Sequence, residues 1–137
     1  MSVQAHADAF LARARTAPGL PQLVVLDGFV PAGQAMPYLL VYLHAETPEL
    51  PDSRSVQGAS ERFVMYAYCH SVGGSALAAR AVSQRGRGVL LDAVLSVAGR
   101  RCFPIRHVES PAVQRDESTG TAVFDQVDIY RLESVPA

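Results

Sequence analysis

The residues of this chain that could do chemistry are few: His6, His44, His70 and His107, Cys69 and Cys102, and short runs of carboxylates. His44, His70 and either Cys69 or Cys102 could meet on adjacent strands and bind zinc. No C-x-x-C or H-x3-H spacing supports that arrangement, so satisfied or exposed histidines and no metal are expected. Cys69 stands next to His70, but neighbours on a strand point to opposite faces, so this histidine cannot activate this thiol. There is no G-x-S-x-G nucleophile elbow. Ser71-Val72-Gly73-Gly74-Ser75 enters a helix and could bind an anion through backbone amides. It lacks the longer glycine pattern and a lysine, which leaves a plain turn with a helix cap as the expectation. The pairs Asp125/Asp128 and Asp116/Glu117 could do acid–base work, but on a terminal strand and in a turn they are expected to face solvent. The residues therefore point to no catalytic site, no cofactor and no enzyme.

Composition narrows the classes further. The chain has 137 residues, 49% hydrophobic and 18% charged, with a net charge of -1. That excludes a disordered tail, suits one domain, and makes a chain-wide basic surface for nucleic acid an unfavourable reading. All 12 basic residues are arginine, and lysine, asparagine and tryptophan are absent. This removes Schiff-base and P-loop lysines and any asparagine that would orient a histidine. Scarcity of residues with AT-rich codons points to a GC-rich genome. Arg85, Arg87, Arg100, Arg101 and Arg106 form a local basic group, yet only Phe103 is interleaved with them. A solvated face with ion pairs between subunits is the expected role, with contact to DNA passing nearby as the weaker alternative. The longest apolar runs, 38–43 and 63–69, fall far short of the roughly 20 residues of a bilayer span, and residues 1–15 lack the apolar core of a secretory signal. Two cysteines among apolar neighbours read as reduced, buried thiols of an intracellular chain.

The elements that must position these residues follow from periodicity. Ser2 can cap a first helix to about residue 17, with Val3, Ala7, Phe10, Leu11 and Ala14 as its apolar stripe. Strands are expected at 23–26, 38–45, 62–70, 101–108 and 122–132. In the third, Phe63, Met65, Ala67 and Cys69 suit a core, while Val64, Tyr66, Tyr68 and His70 suit a half-covered face or a subunit contact. Ser75 caps a second helix to about residue 97, with Leu77, Ala81, Gln84, Gly88, Leu91 and Leu95 as its stripe. One continuous helix is favoured there, although Gly86 and Gly88 weaken it. Residues 46–60 form a long polar loop with Pro48 and Pro51, residues 114–120 a polar turn, and residues 134–137 a short tail. The expected fold is α+β: a single antiparallel or mixed sheet of about five strands, order α-β-β-β-α-β-β, with two helices on one face. The apolar look of the other face argues for oligomerisation.

This order of signals resembles the tail-terminator, or tail-to-head joining, proteins of long-tailed double-stranded DNA phages. The resemblance covers roughly residues 3–133. It is carried by the N-terminal helix, Asp27-Gly28, Pro37-Tyr38 opening Leu39-Leu40-Val41-Tyr42-Leu43, the variable loop and the strand to His70. It continues through Gly73-Gly74, the alanine-rich helix ending Leu90-Leu91-Asp92-Ala93-Val94-Leu95, and Arg115-Asp116, Gly120 and the closing strand. The long 46–60 loop, the paired glycines of the second helix and the missing tryptophan depart from it. The resemblance implies one domain over 1–137 and a hexameric ring in the virion neck, assembled in the host cytoplasm. That ring caps the tail tube and meets the head connector or stopper protein, with DNA passing through its lumen and no membrane involved. The ring interface is expected to set Glu49, Asp52 and Arg54 of the loop against Arg85, Arg87 and Arg101. Sheet edges and the apolar sheet face are expected to contribute. A head-completion or adaptor protein is the sibling reading. A small cytosolic ligand-binding or enzymatic domain, using Ser71 to Ser75 with His70, is the alternative of another class.

Overall fold

The computed structural model describes residues 3–46, 62–112, 114–116 and 122–137. Nine elements follow one another: α1 (Val3–Ala14), β1 (Val25–Asp27), β2 (Tyr38–Ala45), β3 (Phe63–Gly73), α2 (Ala76–Leu90), β4 (Arg100–Cys102), β5 (Arg106–Glu109), β6 (Gln114–Asp116) and β7 (Val123–Pro136). The fold is α+β, with both helices packed on one face of a mixed sheet. Strand order is β1-β2-β3-β7-β4, with β5 and β6 also paired to β7. Among the described residues only β1 and β2 run parallel. β2 and β3 pair antiparallel, with Tyr38 opposite Val72 at one end and Ala45 opposite Met65 at the other. The centre of the sheet is β3 against β7, eleven residue pairs from Phe63–Ser134 to Gly73–Phe124.

Alternation sorts the side chains. Leu39 and Val41 of β2, Phe63, Met65, Ala67 and Cys69 of β3, and Tyr130 and Leu132 of β7 are buried in the main core. From α1, Phe10 meets Tyr130 with ring centroids 6.4 Å apart, and His6 lies against Phe63 at 4.1 Å. Burying each large apolar side chain of this kind stabilises the fold by about 1.5–3 kcal/mol. Gly86 lets α2 approach β2: a Cβ there would sit 3.4 Å from the Leu39 side chain. Ser75 caps α2 by accepting a hydrogen bond from the Ala78 amide at 3.0 Å.

The structure corrects the second helix in two ways. α2 ends at Leu90, and the buried residues on it are Ala79, Val82, Ser83, Gly86 and Leu90. The stripe Leu77, Ala81, Gln84 and Gly88 is instead the solvent face, with Leu77 77% exposed. After Leu90 the chain turns at Leu91 and Asp92, and Ala93, Leu95 and Val97 are then buried on alternate positions. Asp92 donates to the Ile105 carbonyl and Ile105 donates to the Ala93 carbonyl, both at 2.9 Å. The helix ends here because Leu91 is extended and Asp92 takes a positive φ of 63°, and these two bonds hold the turned chain against Ile105.

Two further expectations are refined. The strand expected over 101–108 is split at Pro104 into β4 and β5, because proline cannot donate to a ladder. The expected tail begins inside β7, which continues to Pro136 with Ser134 fully buried. His6 and Arg100 both bond the Ser134 hydroxyl, at 2.9 and 3.1 Å, so this end of the chain is built into the core. Both cysteines are free thiols, Cys69 buried and Cys102 partly so. No helix among the described residues is long and apolar enough to cross a membrane.

Candidate interaction surfaces

The chemistry-bearing residues are dispersed. Asp128, expected to face solvent, is 1% exposed and sits under α2. Ser83 of α2 donates its hydroxyl to Asp128 Oδ2 at 2.5 Å, and His107 Nε2 of β5 lies 3.0 Å from Asp128 Oδ1. Serine and histidine thus share one carboxylate and do not bond each other, so the group has no nucleophile–base pair. It ties three elements together. Its sequence signal was a serine among the buried positions of α2, since a buried polar group needs a partner. Asp125 faces the opposite side, where His70 Nδ1 approaches its Oδ2 at 2.9 Å. Cys69 and His70 do diverge to opposite faces, as alternation requires.

Burial pushes the Cys69 thiol far up, and nearby Asp128 adds to the effect. The Tyr130 hydroxyl is raised by burial first, then by Asp128 and Cys69, with Arg87 opposing. Burial also raises Cys102, against Arg100 and the Val97 backbone. Among the described residues no group of three His, Cys, Asp or Glu side chains could hold a metal ion.

Of the six expected interface residues, Glu49, Asp52 and Arg54 lie outside the described residues. The other three do not share one surface. Arg85 turns inward: its Nη2 donates to the carbonyls of Pro21 at 3.0 Å and Gly19 at 3.4 Å, fastening the segment between α1 and β1. Arg87 is exposed on α2. Arg101 is exposed on β4, over the Phe103 ring at 5.7 Å from its centroid. Of the remaining basic group, Arg100 is bonded to Ser134 and Arg106 lies 3.6 Å from Asp92.

The sheet face away from the helices is aromatic and mixed in charge. Register sets His44, Tyr66, Arg131 and Arg106 in one row across β2, β3, β7 and β5. In the next row stand Tyr42 and Tyr68, 44% and 37% exposed. Glu133 pairs with both Arg62 and Arg131. Burial pulls the Arg131 guanidinium down, but Tyr66 and Glu133 more than compensate and raise it. Burial of Tyr38, with Asp125 and Tyr42 nearby, raises its hydroxyl. The sheet edges are short: β1 has three residues and β5 four, with a bulge in β5 between His107 and Glu109. Arg15 also donates to the outer β1 carbonyl of Val25 at 3.4 Å. Such short edges discourage strand addition.

No protein-family model matches the chain, and no curated protein matches it. Solved structures do. One, described as the virion of a native gene transfer agent particle, contains a chain with a TM-score of 0.54 and 21% identity, covering 95% of this chain and 90% of that one. Another solved chain matches with a TM-score of 0.61 and 21% identity, covering 100% of this chain and 96% of that one. At this identity the likeness establishes a shared fold, end to end.

Proposed function

We propose that this chain is a structural protein of a phage-like virion, forming a ring that caps the tail tube and joins it to the head connector. The observation that carries the reading is the match of nearly the whole fold to a chain of a gene transfer agent virion particle. The sequence resemblance to tail terminators points the same way. In this reading the protein works by assembly and carries no reaction. The buried Ser83–Asp128–His107 group serves packing, and the exposed tyrosines of the open sheet face serve contacts, since tyrosine is common at interfaces. Its partners are five further copies, the tail tube protein and the connector or stopper protein. DNA passes through the lumen without sequence-specific binding, and no cofactor takes part. The place of action is the tail or neck of the virion.

Light scattering of the purified chain across a concentration series, without and with assembled tail tubes, tests this. A closed multimer near six copies, or one formed on the tubes, is the expected result. A chain that stays single and binds no tube overturns the reading. Binding to the head connector with no affinity for tubes would make it a head-completion or adaptor protein.

A further inference from the structure

We propose that the outer edge of β2 from Tyr42 to Ala45 is a strand-addition site, and that an extended segment of a different virion protein pairs with it. The choice of a virion protein as donor rests on the reading above; the open edge itself does not.

β1 covers only the first half of β2. Leu39 donates to the Val24 carbonyl at 2.8 Å, and Gly28 donates to the Val41 carbonyl at 2.9 Å. The backbone groups of Leu39 and Val41 therefore point outward, to β1. On the other side, Glu46 donates to the Val64 carbonyl at 2.9 Å, and His44 and Tyr42, in step with Glu46, face β3 with theirs. Alternation then turns the N–H and C=O groups of Leu43 and Ala45 outward, in line with those of Leu39 and Val41. β1 stops at Asp27, opposite Val41, and Gly28 turns the chain away with a φ of 78°. Among the described residues no strand pairs with Leu43 or Ala45 on that side.

An open edge accepts another strand unless something guards it. β1 is guarded by its length, and β5 by its length and its bulge. Tyr42-Leu43-His44-Ala45 has no such guard. It keeps unbroken register with β3 and carries no proline, bulge, arginine or carboxylate. Its surroundings are also incomplete. Leu43 and Ala45 are only partly buried at the rim of the core, Tyr42 and His44 are exposed on the open face, and exposed Phe29 and Val30 directly follow Gly28, where the pairing with β2 stops. An extended segment with apolar side chains at alternate positions would bond the outward groups of Leu43 and Ala45 and cover this rim. A second copy offering the same stretch would make an isologous two-fold pair, which closes at two copies and builds no ring. The donor is therefore another chain.

Hydrogen exchange, quenched and read amide by amide by NMR, tests the pairing on the full chain, alone and with assembled tail tubes or purified head connector. In the chain alone, the Tyr42 and His44 amides are expected to exchange slowly and those of Leu43 and Ala45 fast. On binding to tubes or connector, Leu43 and Ala45 are expected to slow by about fivefold or more. Ala45→Pro removes one outward donor and leaves the ladder to β3 intact, since proline is tolerated where the N–H faces outward from an edge. That variant is expected to keep its circular dichroism spectrum and to bind at least about tenfold more weakly than wild type, while His44→Ala binds as wild type does. Slow exchange at Leu43 and Ala45 in the chain alone overturns the proposal, as does their protection by self-association without tubes or connector. Binding that leaves both amides fast, or a folded Ala45→Pro chain that binds as wild type does, overturns the strand addition and leaves the virion reading standing. A wild-type chain that binds neither tubes nor connector removes the virion reading, and the choice of donor with it.

Discussion

Ser83 of α2 and Asp128 of β7 are joined by a hydrogen bond of 2.5 Å, and through the other oxygen of that carboxylate the bond reaches His107 of β5. One buried side chain thereby couples a helix, the longest strand and an edge strand. Removing a donor from a buried carboxylate leaves charge uncompensated. Ser83→Ala is expected to lower unfolding free energy by about 2 kcal/mol. Asp128→Ala, which orphans both partners, is expected to cost more than Asp128→Asn, which keeps the shape. Urea denaturation followed by circular dichroism measures all three. Equal stability of Ser83→Ala and wild type would show that the contact contributes nothing.

Three glycines should respond differently to alanine. A Cβ at Gly73 would lie 2.7 Å from the Ala78 Cβ and 2.8 Å from the Ala79 amide nitrogen, so backbone must move. Gly73→Ala is expected to destabilise by about 1–3 kcal/mol. Gly88 has open space around it on the exposed side of α2, and there alanine is expected to stabilise by about 0.5–1 kcal/mol. Gly86 meets only Leu39, at 3.4 Å, so its gain in helix propensity is partly offset by crowding. The order of melting temperatures should be Gly88→Ala above Gly86→Ala, and both above Gly73→Ala.

Arg85 and Arg87 are two residues apart but do different work. Arg85→Ala frees the Gly19 and Pro21 carbonyls and is expected to cost about 1 kcal/mol of stability without changing oligomeric mass. Arg87→Ala is expected to leave the melting temperature within about 1 °C, in keeping with a surface substitution of under 0.5 kcal/mol. A melting temperature that falls for Arg87 and holds for Arg85 would reverse the assignment.

Alkaline pH should unfold this protein through its buried acids. Tyr130 and Cys69 have ordinary values of 10.0 and 9.0, and burial raises both in the folded chain. The stability they contribute is full below those ordinary values and is lost as pH rises above them, because only the unfolded chain then releases its protons. Stability is therefore expected to hold to about pH 9 and to fall beyond it. A thiol reagent at pH 8 should leave Cys69 unmodified in the folded chain, react slowly at Cys102 and modify both after denaturation. Rapid labelling of Cys69 in the folded chain would contradict the buried placement.

The faces of the strands were legible because a period of two is local. Tyr38 to Ala45 came out with its expected bounds, and Phe63, Met65, Ala67 and Cys69 occupy the core as alternation required. Helix α1 was equally plain. The second helix misled because alanine, glycine, serine and glutamine give little contrast between its sides. Leu77 marked the wrong stripe, and Gly86, which gives no apolar signal, stands on the buried side next to Leu39. Asp128 looked like a surface carboxylate because its partners, Ser83 and His107, stand 45 and 21 residues away.

What the sequence determined by itself is the α+β class, the order of the first five elements and the two faces of β3, all consequences of hydrophobic spacing over a few residues. What only the tertiary structure decided is the β3–β7 pairing, the end of α2 at Leu90, the burial of Asp128 and Ser134, and the separation of Arg85 from Arg87 in role. Each of these depends on hydrogen bonds and contacts between segments distant in the chain. A local pattern specifies which side of an element is apolar, but only the assembled neighbours set what that side meets.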